Sequence, residues 1–415
     1  MLKNYLKIAI AVLLRRKFLT FVNLFGTVLV LTVLVVAFAI VESLLRPAGA
    51  QHRYDHILVI SLVSMSKAGQ LRDGGGPGPA FVANYLTPLR TPDLVSLASA
   101  PRTVTSYVEG RKLTMRMRLT DAAYWKILDF SVLAGRVLAP DDIASARPVA
   151  VINEATARNW FGDAKAIGRA IVIGTRSYEV VGVVHNEPET SRLAHADVWL
   201  PATASNPLPD PKEWMARGQT QAMLYVENAA KRHDMQMEIE ARVRRFEVNP
   251  DPVKYNTLEA TAMTPLQALA ARVLANDFQP RDYVAEFVAA VVIVTLLFMA
   301  LPAVNMINLN VGRILERAPE IGLRKAAGAP TRSLIGQFIF ENLVLALLGG
   351  AVAFAIAPLV LGFVNEVLRY GQLRLDLSVF AVGVILVAIF GVLSGAYPAW
   401  KMARLDPATA LRGQR

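Results

Sequence analysis

Few residues of this chain have the types and spacing to do chemistry. His52 and His56 stand four apart with Asp55 between them, a spacing that sets two imidazoles on one helix face for a metal ion. The chain holds five histidines and no cysteine, and no further ligand adjoins the pair, so we read these residues as solvated polar groups at the base of a stalk and assign no metal site. The cluster Gly74, Gly75, Gly76 and Gly78 lacks G-x-G-x-x-G spacing, and neither a G-x-x-x-x-G-K-[ST] phosphate cradle nor a G-x-S-x-G nucleophile elbow occurs. No catalytic or cofactor-binding residue is assigned, and the chain is expected to hydrolyse nothing by itself.

The strongest polar signal is the segment Pro319 to Gly328. Pro319 has no N–H to lose in a first helical turn, Glu320 suits the positive helix start, and Arg324 and Lys325 lie toward the other end. A short, capped helix is expected there. Gly322 and Gly328 allow close approach or a turn, while Ile321, Leu323 and Ala326 offer a small apolar face. From residue types alone, a helix docked in a partner's groove and an interfacial connector between two spans stand equal.

The elements that must hold this segment are four apolar stretches, 18–45, 283–310, 334–364 and 377–399, each long enough to cross a bilayer. The third carries Gln337, Glu341 and Asn342 near its start, which places its first turns at the interface or against protein. Glu42 and Glu286 fall at the edges of the first and second spans, within reach of the headgroups. The expected organisation is an interfacial helix over 1–17, span one over 18–45, an outer domain over 46–282 with stalk ends at 46–56 and 264–282, and span two over 283–310. A cytoplasmic loop with the short helix follows at 311–332, then span three over 333–364, a short outer loop over 365–376, span four over 377–399 and a tail over 400–415.

Charge orients this layout. The net charge is +11, but between residues 46 and 282 there are 28 Lys and Arg against 25 Asp and Glu. The surplus lies in 1–17, 311–332 and 400–415, which hold 14 basic residues against Glu316, Glu320 and Asp406. With four spans these three segments share one side, and the basic bias makes it cytoplasmic. Both termini are then cytoplasmic and the insert is periplasmic in a bacterial inner membrane. The basic runs meet anionic lipid headgroups, and no nucleic-acid partner is implied. The apolar run from Phe18 to Leu45 exceeds a signal-peptide core, so an uncleaved anchor is expected. Without cysteine, the exported domain must be held by its core alone.

Within the insert the reading is α+β. The runs 57–60, 149–152, 170–173 and 178–184 are short, β-branched and bounded by turn residues, as strands are. Helices are expected over Thr91 to Ala98, with Thr91 as N-cap and Pro92 next, over Asn153 to Trp160, over Met235 to Phe246 and over 264–282 running into span two. The breaker-rich stretches Arg72 to Pro79 and Pro201 to Pro211 are expected to be exposed loops. In the membrane, Gly391 and Gly395 form a G-x-x-x-G, and Ala346, Gly349, Gly350 and Ala353 line span three with small residues; packing within one subunit is the favoured use.

The loop R-I-L-E-R-A-P-E-I-G-L-R-K-A-A-G-A-P-T-R-S-L-I-G-Q-F over 313–338, with Glu341 and Gly349-Gly350, resembles the signature of the MacB/FtsX-like ABC transporter permeases. The ending Tyr397-Pro398-Ala399-Trp400 through Asp406-Pro407-Ala408 to Leu411-Arg412 is similar to that family's C-terminus. In the insert, Leu128-Asp129-Phe130, Gly135-Arg136, Val151 to Glu154, Phe161-Gly162, Ile167 to Arg169 and Tyr178 to Val184 resemble its periplasmic core domain. Pro319 stands where the family has Arg. The resemblance implies a non-catalytic permease subunit with four transmembrane helices and an α+β outer domain, dimeric with a second copy or a paralogue. A separate ATPase, carrying the ATP and Mg, would dock on Pro319, Glu320, Ile321, Gly322, Arg324, Lys325, Ala326 and Gly328. It further implies export of a drug, peptide or small amphiphile with a periplasmic adaptor and an outer-membrane duct. Lipoprotein or lipid extraction, or control of an extracytoplasmic partner, is the alternative; a membrane-anchored sensor or scaffold without ATPase is the alternative of another class.

Overall fold

The computed structural model describes residues 17–45, 50, 53–67, 70–108, 111–162, 165–189, 191–204, 220–245, 257–274, 281–294, 296–297, 323, 330–367, 373, 375–385, 388–389 and 392. They fall into two compact units, one built on apolar helices and one running from Ser43 to Val288.

The Ser43–Val288 unit is α+β, as expected. Its strands are β1 (Ile57–Ile60), β2 (Val63–Lys67), β3 (Gln70–Gly75), β4 (Leu94–Ser99), β5 (Arg102–Val108), β6 (Arg111–Thr120), β7 (Val132–Gly135), β8 (Val149–Asn153), β9 (Ala170–Ile173), β10 (Arg176–Val184), β11 (Val198–Pro201), β12 (Thr220–Tyr225) and β13 (Thr257–Ala260). Seven form one sheet in the order β5-β6-β11-β8-β10-β7, with β9 also on β10; the others make two three-stranded sheets, β1-β12-β4 and β13-β2-β3. The helix Glu154–Phe161 follows β8, capped where the Asn153 side chain accepts the Thr156 N–H at 2.8 Å. It returns the chain through β9 to β10, which lies parallel to β8.

The period-two alternation of strands sorts the cores. In β8, Val149 and Val151 face one apolar cluster and Ala150 and Ile152 face another, so the seven-stranded sheet is buried on both sides there. One side carries the aromatic group Tyr124, Trp125, Phe130 and Trp199; the other packs Ala157, Trp160 and Phe161 of the helix. A third cluster joins the three-stranded sheets to Met235, Ile239 and Val243, spaced four apart on the helix Arg232–Arg244. β1 belongs to two clusters at once: Ile57 and Val59 enter the aromatic core, Leu58 and Ile60 the third.

Several expectations are corrected. Thr91 to Ala98 is not a helix: Leu94–Ser99 is β4, paired antiparallel with β12 from Ser99↔Thr220 to Leu94↔Tyr225. Long-range pairing outweighs the local cap signal. Arg72 to Pro79 is not one exposed loop: Gln70–Gly75 is β3 on β2, and Gly76, Pro77 and Gly78 are buried. Pro201 ends β11 and is buried, residues 202–204 turn, and 205–211 lie outside the described residues. The helix expected over 264–282 is Pro265–Leu274, with 275–280 outside the described residues and 281–283 not helical.

The other unit contains the helix Lys17–Leu45, up to Glu42, and the helix Thr331–Val367, which continues through Pro358. Among the described residues two helices are long and apolar enough to cross a membrane, Thr20–Ser43 and Ile339–Val367. A shorter apolar helix, Val284–Val294, lies within the expected second span, and residues 377–385 are helical within the expected fourth. The expected interfacial helix over 1–17 lies, but for Lys17, outside the described residues, as does the tail 400–415.

Candidate functional site

β1 is the first strand after the helix Lys17–Leu45, and it is also where the chain comes back. The Val59 N–H donates to the Met263 carbonyl at 2.8 Å and the Met263 N–H to the Val59 carbonyl at 2.9 Å. Met263 precedes the helix Pro265–Leu274, whose start Thr264 and Gln267 cap reciprocally. Gln267 Nε2 donates to Asp282 Oδ2 at 2.9 Å, just before the apolar helix Val284–Val294. The segment leaving one apolar helix and the segment entering the next therefore meet on one buried strand.

The leaving segment is fixed further upstream. The Ala50 N–H donates to Glu187 Oε1 at 3.1 Å, and the Asp129 N–H to the Ala50 carbonyl at 3.2 Å. Arg53 lies 3.7 Å from Asp129, and His56 Nδ1 is 2.9 Å from the Val226 carbonyl with its ring stacked on Tyr225. Ala50 and Ile57 join the aromatic core.

The loop 187–195 that holds Ala50 is itself pinned by buried polar groups. Arg118, 1% exposed, donates to the Ser99 carbonyl at 3.0 Å and the Arg192 carbonyl at 2.7 Å. The Tyr124 hydroxyl faces the Leu193 and Ala194 carbonyls at 2.9 and 3.2 Å, and Trp199 Nε1 donates to the same oxygen. His195 Nδ1 lies 2.7 Å from the Glu187 carbonyl. Burial pushes the Tyr124 phenol up to about 12 and holds the His195 imidazole below its ordinary value, while hydrogen bonding to the Glu187 carbonyl partly opposes the latter. Burial also lifts the Glu187 carboxyl to about 7, the Ala50 N–H opposing only in part.

In the helical unit Gly349 and Gly350 lie close to neighbouring side chains. A Cβ on Gly349 would fall 2.5 Å from Thr27 Cγ2, and one on Gly350 would fall 3.3 Å from Val384 Cγ2. Ala346 and Ala353 share a cluster with Val30 and Leu31, and Phe354 meets Phe380 edge-on at 5.2 Å. Glu341 is buried and accepts from Gln337 Nε2 at 3.1 Å. Glu286 accepts from Arg281 at 2.5 Å.

Pro319, Glu320, Ile321, Gly322, Arg324, Lys325, Ala326 and Gly328 lie outside the described residues, as do Gly391, Gly395 and His52. Among the described residues no group of three metal-ligating side chains forms; Asp55 is exposed beside Arg232. Ala50, Glu187, Arg118 and His195 carried no sequence signal: Glu187 sits in the polar run His185-Asn186-Glu187-Pro188-Glu189, which reads as a solvated loop.

Two family models match. The MacB-like periplasmic core domain covers residues 20–242 and the FtsX-like permease C-terminal region residues 284–407. The macrolide export ATP-binding/permease protein MacB of Syntrophobacter fumaroxidans is 40% identical over 120 residues, 29% of this chain and 16% of that protein. The pyoverdine export ATP-binding/permease protein PvdT of Pseudomonas aeruginosa is 26% identical over 293 residues, 70% of this chain and 41% of that protein. The chain thus spans less than half the length of these relatives. The periplasmic region of MacB from Actinobacillus actinomycetemcomitans aligns at 12% identity and a TM-score of 0.35, covering 53% of this chain and 94% of that one.

Proposed function

The chain belongs to the MacB/FtsX-like ABC transporter permeases, and on that premise we propose that it is a non-catalytic membrane subunit that carries ATP-driven motion to its periplasmic domain. The observation that supports force transfer is the convergence of both membrane legs on β1, through Val59 and Met263, with the strand's side chains divided between two cores. In this reading a pull that reaches β1 is felt by both cores, because its side chains alternate between them.

In this reading four helices cross the inner membrane with both termini inside. A separate ATPase carrying ATP and Mg docks on residues 320–328, and a second permease copy or paralogue completes the complex. These 415 residues contain no phosphate cradle, and in this reading hydrolysis is the ATPase's. Relatives named for macrolide and pyoverdine export support export of an amphiphile, with an adaptor and an outer-membrane duct as further partners. The test is co-purification with a candidate ATPase, followed by an ATPase assay of the double variant Glu320→Lys, Arg324→Glu. Lost assembly or lost stimulation is expected; unchanged assembly and hydrolysis would overturn the docking assignment.

A further inference from the structure

Glu187 has an unusual setting for an acid. The residue is 3% exposed; among the described residues Oε1 accepts the Ala50 N–H alone, and Oε2 is buried without a hydrogen-bond partner. The charged and titratable groups around it are committed elsewhere. His195 binds the backbone of Glu187 and not its carboxyl. Arg118 serves the Ser99 and Arg192 carbonyls, Tyr124 the Leu193 and Ala194 carbonyls, and Arg116 pairs with Glu189. Asp129 meets Arg53, Tyr54 packs against the same core, and the Arg192 side chain is exposed. No ion pair reaches the Glu187 carboxyl among the described residues. An enclosed carboxylate here has one neutral donor, whereas a neutral acid leaves no buried charge.

We propose that Glu187 is a proton-operated latch: as the neutral acid it stays enclosed and holds Ala50 to the outer domain, and on ionising it moves to water and releases Ala50. The proposal deepens the force-transfer reading of this junction and rests on it for its biological meaning.

Linkage gives the direction. The enclosed carboxyl titrates at about 7, against 4.5 for a hydrated one. The closed form therefore binds its proton up to roughly 300-fold more tightly than the open form. Acid closes the latch and base opens it. His195 has the opposite preference, but its ring binds the Glu187 backbone carbonyl and makes no bond to Ala50 among the described residues.

The test is hydrogen exchange at the Ala50 amide in the full chain in nanodiscs, corrected for intrinsic rates, between pH 5.5 and 8.5. In the wild type protection is expected to fall roughly 30-fold across that range, the part of the linkage ratio that the range spans. Glu187→Gln, neutral and of the same shape, should hold high protection at every pH, and Glu187→Ala low protection at every pH. A wild type without pH dependence, or the same slope in Glu187→Gln, would overturn the latch; the Gln variant decides even where the Ala variant fails to fold. The assay needs no ATPase, so an Ala50 amide that keeps its pH response while hydrolysis proves independent of residues 320–328 would sink the force path and leave the latch.

Discussion

A Cβ on Gly349 would stand 2.5 Å from Cγ2 and 2.9 Å from Cβ of Thr27, so the two long apolar helices approach at a separation that only glycine permits. Where burial gives no hydrophobic advantage over lipid, such close approach is a main source of helix association. Gly349→Leu should destabilise the helical unit by about 1–3 kcal/mol, the usual cost of overpacking. Gly362→Ala, on the same helix with open space around it, should be neutral or stabilising by about 0.5–1 kcal/mol. Thermal unfolding in detergent compares the two, and equal losses would contradict the packing.

Glu187 predicts an unusual pH dependence of global stability. Its folded value is raised, so its contribution is complete below 4.5 and lost as pH rises through about 7. The Glu187→Gln protein should gain in melting temperature over wild type as pH goes from 5 to 8, by no more than about 3 kcal/mol in free energy. His195 has the reverse sign. Its folded value is depressed by burial, so its contribution is present above 6.5 and lost as pH falls through the lower folded value. His195→Gln should flatten the acid limb only.

Asp142 is 1% exposed and receives both arms of Arg136, at 2.5 and 3.0 Å, the Ala139 N–H at 2.8 Å, and Arg147 at 3.5 Å. The Arg136 hydrogen bonds hold its carboxyl below the ordinary value. That contribution is present above 3.8 and lost as pH falls through the lower folded value. Asp142→Ala should cost about 2–4 kcal/mol at pH 7, less than a fully buried pair because Arg136 is half exposed, and less again at pH 3. Denaturant titration at both pH values checks this.

Trp199 is fully buried, with Trp125 at 5.8 Å and Phe130 at 5.4 Å between ring centroids, both edge-on. Trp199→Ala should destabilise the outer domain by about 3–5 kcal/mol, and Trp199→Phe by less. Because Ala50 and Ile57 share this core, the Ala variant should also raise exchange at the Ala50 amide. An unperturbed amide in a destabilised domain would show the leg to be held independently of the core.

The two long apolar helices, the strands β1, β8, β9 and β10 and the helix after Asn153 were legible because their patterns are local. β4 was not: Thr91, Pro92 and the apolar set Leu94, Leu97 and Ala98 satisfy a helical window, and the partner that makes them a strand lies at residues 220–225. The glycines before Pro77 read as a loop, although β2 supplies the edge on which they pair. The junction was legible only in part. Val59 and Met263 lie just inside the segments expected as stalk ends, and their pairing depends on tertiary contact, as the burial of Glu187 depends on backbone held by Arg118 and Tyr124. No composition rule marks a carboxylate as enclosed.

The paired bonds between Val59 and Met263 place the entrance and the exit of the outer domain side by side. A domain joined through neighbouring ends is a cassette: it can be lifted out, replaced or exchanged between proteins at these two points.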